Sequence, residues 1–219
     1  MSQFIKHWKS HIVTLLLITG LIFAYLLIFH SKSELRVYNP SDFNPELVDA
    51  SVQNVIENHR VADFELLNQN GKTITQKDYA NKIYVTDFFF TRCPSICPIM
   101  SNNMEQLQKI FRDDAEVMFL SISVTPELDS IPILKAYAEK HSVIDGKWNI
   151  TTGEKKHIYN LARKSYFAVV NEGDGGIQDF IHTPNFILVD RQKQIRGVYD
   201  GTKDEEIERL TNDINFLKK

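Results

Sequence analysis

The chain has two cysteines, Cys93 and Cys97, which are separated by three residues. This spacing lets the two sulfurs approach each other, so the pair can form a disulfide or hold a soft metal ion. Pro98 suits the first position of a helix, which would place Cys97 near the helix start and Cys93 in the preceding loop. The positive end of a helix dipole favours thiolates. The pair therefore predicts a redox or metal site, with a permanent disulfide or two buried free thiols as the alternatives.

A metal ion held by two thiolates needs a further ligand, and His182 is the best candidate among the seven histidines. It directly precedes Thr183 and Pro184, which lead into an apolar segment. The others are expected in or beside an apolar N-terminal segment (His7, His11, His30) or exposed to solvent (His59, His141, His157). Two cysteines and one histidine form a soft set that suits Cu(I), and an added oxygen ligand would allow Cu(II). A structural zinc site would need a fourth protein ligand.

Three further residues lie close to the cysteines in sequence. Met100 and Met104 recur at helical spacing, which is typical of core packing rather than of metal ligation. Asp87 interrupts an aromatic segment shortly before the cysteines. We expect it to be a buried polar group near the site.

The segments around these residues alternate between predicted strands and helices. Residues 83–90 are mostly β-branched or aromatic, which is typical of a central strand covered on both faces. The other predicted elements are a hairpin over 64–74, helices over 98–111, 130–140 and 153–165, a strand over 117–124, a short apolar segment at 167–170, a hairpin of 185–190 with 195–199, and an amphipathic helix over 203–217. A cysteine motif between a buried strand and a helix narrows this α/β pattern to a thioredoxin-like mixed sheet flanked by helices. In such folds the residues before the strand at 185 lie opposite the cysteines, which favours His182.

The N-terminal region contains eighteen consecutive uncharged residues, from Ile12 to Phe29. As a helix they would span about 27 Å, which is just enough for the hydrocarbon core of a bilayer. Lys6 and Lys9 precede this segment, and residues 1–30 contain no acid. The positive-inside rule then places the N-terminus in the cytoplasm. We therefore predict a cytoplasmic N-terminus over 1–11, an uncleaved transmembrane anchor over 12–29, and export of the rest.

The composition predicts one globular domain after this anchor. The 219 residues are 43% hydrophobic and 24% charged, which is typical of a folded protein. The formal net charge of −3 shows no basic excess, so no nucleic-acid partner is expected. Two Asn-Pro steps, at 39–40 and 44–45, favour an extended segment. We predict a tether over 30–58 and a thioredoxin-like domain over 59–219.

Three sequence blocks resemble the Sco/SenC family, the membrane-anchored copper chaperones of cytochrome c oxidase assembly. They are FFFTRCPSICP at 88–98, SISVTPELDSIPILKAY at 121–137, and DFIHTPNFILVD at 179–190 followed by IRGVYDG at 195–201. The order of the blocks and the N-terminal anchor also match. The resemblance extends over residues 60–217.

The resemblance implies a copper site formed by Cys93, Cys97 and His182. It further implies delivery of copper, as Cu(I), Cu(II) or both, to the dinuclear copper site of a cytochrome c oxidase subunit. Other copper chaperones or thiol reductants would be further partners. The protein would then be a single-pass protein of the bacterial inner membrane, with its C-terminal domain in the periplasm.

The chain departs from the family pattern at three places. Thr125 stands where the family usually has aspartate, which puts any role of that acid in doubt. Pro184 follows Thr183 where many relatives have a small polar residue, and thioredoxins keep a cis-proline at this position. Residues 190–193 lack the family's turn glycine.

Two enzyme classes are the alternatives to a metallochaperone. A thiol–disulfide oxidoreductase would use Cys93 and Cys97, with Pro184 beside them, to reduce cysteines of the oxidase subunit or of other exported proteins. A peroxidase of the same fold would need a threonine three residues before its reactive cysteine, where this chain has Phe90 and Pro94. We therefore expect primarily a metallochaperone, with oxidoreductase activity as the second interpretation.

Overall fold

The computed structural model describes residues 14–22, 35–43, 45, 48, 50–168 and 183–219. The chain divides into two compact units, Met1–Glu34 and Leu35–Lys219. In the first unit, residues 14–22 are helical and exposed. Within the described part of the chain, no helix is long and apolar enough to span a bilayer. The predicted anchor over 12–29 lies partly outside these residues and stays a prediction.

The second unit contains a seven-stranded mixed sheet with the order β2-β1-β5-β4-β3-β6-β7. The strands are β1 (Glu65–Asn68), β2 (Thr73–Thr75), β3 (Ile83–Phe89), β4 (Val117–Ser123), β5 (Trp148–Thr152), β6 (Asn185–Val189) and β7 (Ile195–Asp200). The central strands β3, β4 and β5 are parallel. The pairs β1–β2, β1–β5, β3–β6 and β6–β7 are antiparallel. This arrangement confirms the predicted mixed α/β sheet.

Helices connect the parallel strands, because a parallel pair needs a long crossover connection. The helices are α1 (Ile96–Ile110), α2 (Ile131–Lys140), α3 (Lys155–Asn160) and α4 (Asp204–Leu217), and a π-helical turn (Leu161–Ser165) continues α3. Helix α1 joins β3 to β4, and α2 joins β4 to β5. The predicted helices at 130–140 and 203–217 are thus confirmed within one residue at each end.

The core has two parts, one on each face of the sheet. All seven residues of β3 are buried, because successive side chains point to opposite faces and both faces are covered. Ile83 and Val85 belong to the part that includes residues of α1, α2 and α4. Tyr84 and Phe88 belong to the part that includes residues of α3 and the π-helical turn.

Helix α1 carries Cys97 on its first turn, and Cys93 lies in the loop before the helix. It begins at Ile96, with Ser95 at the N-cap, rather than at Pro98 as predicted. Proline is tolerated throughout the first turn, since the N–H groups there have no intrahelical acceptor. Met100 and Met104 are fully buried in the same core as the cysteines, which confirms their structural role.

Two regions differ from the sequence predictions. Strand β5 was not predicted, and it lies between β1 and β4. The predicted helix over 153–165 is α-helical over Lys155–Asn160 and π-helical over Leu161–Ser165. Residues 167–168 are not in a strand, and the rest of the apolar segment at 167–170 lies outside the described residues.

The described part of the predicted tether packs within the second unit. The Tyr38 N–H donates to the Ile195 carbonyl at 2.8 Å, which forms a β-bridge at the outer edge of β7. Val48 is fully buried in one part of the core. The ring of Phe43 lies 5.1 Å from the ring of Phe167. Residues from 35 onward therefore belong to the compact unit.

Candidate metal and redox site

The cysteine loop leaves the sheet where β3 ends. Strand β3 ends at Phe89 and α1 begins at Ile96, so that Cys93 lies in the loop and Cys97 in the first helical turn. The Cys93 N–H donates to the Phe90 carbonyl at 3.3 Å, which closes a turn in the loop. The carboxyl ends of parallel strands are the usual place for functional residues in open α/β sheets.

Both cysteines are free and buried, with 6% of Cys93 and 3% of Cys97 exposed. The Cys97 N–H donates to the Cys93 sulfur, with the nitrogen 3.4 Å from Sγ. The Ser95 hydroxyl lies 3.7 Å from the same sulfur. The pair is therefore in the dithiol form, and the Cys93 sulfur contacts both the Cys97 N–H and the Ser95 hydroxyl.

The two thiols differ strongly in acidity. Burial raises the pKa of Cys93, but hydrogen bonds from the backbone N–H groups of Cys97 and Ser95, and from their side chains, outweigh it and lower the pKa to about 6. Burial raises the pKa of Cys97 to about 12, and the nearby charges of Cys93 and Asp87 act in the same direction. At neutral pH, Cys93 is a thiolate and Cys97 is a thiol. Such a pair has a nucleophile and a proton-bearing partner side by side.

His182 lies outside the described residues. Its neighbour Thr183 is buried, and the Asn185 N–H donates to the Thr183 hydroxyl at 3.2 Å. Because Ile187 of β6 pairs antiparallel with Thr86 of β3, β6 begins at the end of the sheet where β3 ends. None of the peptide bonds of the described residues is cis, so the bond between Thr183 and Pro184 is trans.

Three other histidines make contacts of their own. His141 was expected to be exposed, but it is 3% exposed and its ring lies 4.6 Å from the ring of Tyr137. His59 and His157 are half-buried. His59 contacts the Ser165 carbonyl at 2.8 Å, and His157 accepts a hydrogen bond from the Glu65 N–H at 3.5 Å. Among the described residues, no group of three His, Cys, Asp or Glu side chains could hold a metal ion.

Asp87 is a buried polar group near the cysteines, as expected. It is 2% exposed and accepts a hydrogen bond from the Ser121 hydroxyl at 2.5 Å. The Trp148 indole N–H donates to the same hydroxyl at 2.9 Å. Burial raises the pKa of Asp87 to about 7. The proton on this carboxyl group therefore affects the charge felt by Cys97.

Sequence reasoning missed one residue that touches the cysteine loop. Asp129 is fully buried, and its carboxylate accepts hydrogen bonds from Thr91, two residues before Cys93. The Thr125 hydroxyl also donates to Asp129, at 3.0 Å. Thr125 thus supplies a donor where the family usually has an acid. The block SVTPELD ends on Asp129, and this was the available signal.

A Sco protein of Bacillus subtilis is similar to this chain in sequence, and a solved Sco structure is similar in sequence and fold. The SCO1 protein homolog of Bacillus subtilis is 31% identical over 159 residues, which cover 72% of this chain and 82% of that protein. The solved structure of BsSco, described as a member of the Sco family of cytochrome c oxidase assembly proteins with a disulfide switch, has a TM-score of 0.62. It is 30% identical and covers 73% of this chain and 94% of that chain.

A copper-bound relative has the same fold. The structure of Arabidopsis thaliana ScoI with copper bound has a TM-score of 0.56 and 25% identity, and it covers 72% of this chain and 97% of that chain. The family model described as SCO1/SenC matches residues 53–217. The chain therefore belongs to the SCO1/SenC family.

Proposed function

We propose that this protein is a membrane-anchored copper chaperone that binds copper through Cys93, Cys97 and His182. It delivers the metal to the dinuclear copper site of a cytochrome c oxidase, from the periplasmic side of the bacterial inner membrane. The observation that carries this proposal is the pair of free, buried thiols at the start of α1, where one N–H already bonds the Cys93 sulfur at 3.4 Å.

The two thiols suit a soft, monovalent cargo. Thiolate sulfur is the preferred ligand of Cu(I). Because Cys93 is a thiolate at neutral pH, copper binding has to displace a single proton, from Cys97. His182 would complete the set. Its assignment is supported by the position of Thr183, at the end of the sheet where the cysteine loop leaves β3.

The oxidase partner is supported by the family. The similar structure of BsSco is described as a cytochrome c oxidase assembly protein, and that of A. thaliana ScoI holds copper. We extend both properties to this chain. Other copper chaperones would load the site, and thiol reductants would keep the two cysteines reduced.

The second candidate function is thiol–disulfide exchange, which the unequal acidity of the two thiols favours. The Cys93 thiolate would attack a partner disulfide, form a mixed disulfide and release one partner thiolate. Cys97 would then lose its proton and attack the Cys93 sulfur. This step forms the Cys93–Cys97 disulfide and releases the second partner thiol.

Copper binding by the purified full-length chain in its two redox states tests the proposal. We expect one Cu(I) per chain after reduction and none after oxidation, because a disulfide has no thiolates to offer. We also expect transfer of the metal to an isolated copper-site domain of an oxidase subunit. Equal copper uptake by the oxidised chain contradicts the proposal. A reduced chain that binds no copper but reduces the disulfide of that domain supports the second candidate.

A further inference from the structure

Asp129 is a fully buried carboxylate next to the cysteine loop. It lies between the end of β4 and the start of α2. A carboxylate is stable in the interior of a protein only when other groups compensate for the water it has lost. Here four hydrogen bonds from three residues compensate.

These four hydrogen bonds join three segments. The Thr91 hydroxyl donates to Oδ1 at 2.6 Å, and the Thr91 N–H donates to Oδ2 at 3.2 Å. The hydroxyls of Ser123 and Thr125 donate to Oδ2 at 2.5 and 3.0 Å. Asp129 thus connects the loop after β3 with the end of β4 and with the turn that follows it. Hydrogen bonds to an ionised acceptor are the strong ones.

The contact with Thr91 lies between the last sheet pairing and Cys93. The Val124 N–H donates to the Phe89 carbonyl at 2.8 Å, which ends the pairing of β3 with β4. Thr91 follows two residues later, and Asp129 holds both its main chain and its side chain. Cys93 comes two residues after that, on the same loop. The carboxylate therefore fixes the path by which the chain reaches Cys93.

We infer that Asp129 is a positioning residue for the cysteine pair: through Thr91 it holds Cys93 where its sulfur meets Cys97. The inference rests on the proposed function, because it concerns the same two thiols. Formation of a disulfide and chelation of copper both require the two sulfurs to be close. If the loop is mobile, the effective concentration of one sulfur at the other falls. Disulfide formation and copper chelation are then both weaker.

The equilibrium with glutathione, measured on the full-length chain, tests this role. In this reaction the two protein thiols form the Cys93–Cys97 disulfide while one glutathione disulfide is reduced to two glutathione thiols. We expect Asp129→Asn to lower the equilibrium constant for disulfide formation by about tenfold, the size of effect that a charge-assisted hydrogen bond produces. Thr91→Val removes the hydroxyl donor from the loop side, and we expect a decrease in the same direction.

Two variants separate positioning from a general loss of stability. Thr91→Ser keeps the hydroxyl donor, so we expect the equilibrium constant of the wild type. Asp190 is a buried carboxylate at the turn between β6 and β7, where it accepts hydrogen bonds from the N–H groups of Gln192 and Gln194. That turn is at the opposite end of β3 from the cysteine loop. Asp190→Asn should lower the melting temperature but change the glutathione equilibrium less than about twofold.

Two results would overturn the role of Asp129. One is a wild-type equilibrium constant in both Asp129→Asn and Thr91→Val. The other is a shift in Asp190→Asn as large as that in Asp129→Asn. Cu(I) affinity is measured in parallel, and we expect it to fall with the same variants. A wild-type chain that binds no copper refutes the proposed copper delivery, while the glutathione equilibrium still decides the role of Asp129.

Discussion

The chemistry at the site follows from where hydrogen-bond donors meet the two sulfurs. The N–H groups at the start of α1 lie near Cys93 and lower its pKa to about 6, although burial opposes this. Burial raises the pKa of Cys97 to about 12. The same two residues therefore suit both candidate functions. The Cys93 thiolate can begin a disulfide exchange, and Cys97 releases a proton when the pair binds copper or forms a disulfide.

The first prediction concerns the pH dependence of Cys93 reactivity. In Cys97→Ser, the backbone N–H that contacts Cys93 is retained. We expect the rate of alkylation by iodoacetamide to rise as the pH increases through about 6 and then to level off, because only the thiolate reacts. Rates measured by mass spectrometry across this range test the prediction. A midpoint near about 8.5, the value of a free cysteine, would refute it.

The second prediction concerns the ligand set. Cys93→Ser and Cys97→Ser should abolish stoichiometric copper binding, because one thiolate and one imidazole bind Cu(I) weakly. His182→Ala should retain Cu(I), held by two thiolates, but lose the Cu(II)–thiolate absorption, since Cu(II) prefers nitrogen and oxygen ligands. Copper per chain and the visible spectrum of each variant measure both effects.

The control for this series is His157→Ala. His157 is half-buried on α3, and its ring accepts a hydrogen bond from the Glu65 N–H at the start of β1. His141 is unsuitable as a control, because it is buried against Tyr137. If His182→Ala matched the wild type in both copper states while His157→Ala lost copper, His182 would be the wrong histidine.

Helix α1 is held in place by the packing of its buried face against the core. The position of Cys97, on its first turn, depends on that packing. Met104 is fully buried, whereas Ile110 on the same helix is 58% exposed. We expect Met104→Ala to lower the free energy of unfolding by about 2–5 kcal/mol, through lost burial and a cavity. Ile110→Ala should change it by less than about 0.5 kcal/mol. Urea unfolding of the two variants measures the difference, and equal effects would contradict this assignment of faces.

The sequence pattern predicted the elements whose apolar residues repeat strongly. Strand β3 belongs to this group because most of its residues are β-branched or aromatic, and helix α1 because Met100, Met104 and Leu107 recur at helical spacing. Strand β5 was missed, since its second residue, Asn149, is polar. This side chain is buried and bonds Tyr79 and Asn68, which are far away in sequence.

The candidate site, like the fold, was predictable only in part from the sequence. The two cysteines could be found from their spacing alone, because four positions along the chain keep them close in any fold. The role of Asp129 could not, because it depends on Thr91 and Ser123, which come together only when β3 and β4 pair. The block SVTPELD at 123–129 marks Asp129 itself, but not the contact with Thr91, which lies in a separate segment of the chain.

For the whole molecule, the fourth prediction concerns topology. We expect residues 31–219 to be exported and held by an uncleaved helix, because the apolar segment over 12–29 follows two lysines and no acid. A tag after Lys219 should be accessible to protease only from the periplasmic side. A soluble protein that is shortened at its N-terminus would contradict this prediction.

The β-bridge of Tyr38 with Ile195 also bears on how the isolated domain behaves at high concentration. The sheet has a short strand of three residues, β2, at one edge and the six-residue β7 at the other. A long open edge is a template on which a second copy can pair and aggregate. Tyr38 occupies this edge where β7 begins, by its bridge to Ile195, and so blocks such pairing there. A soluble fragment for crystallisation or spectroscopy should therefore start at residue 35. In a fragment that starts at residue 59, the edge of β7 would be unpaired and prone to aggregation.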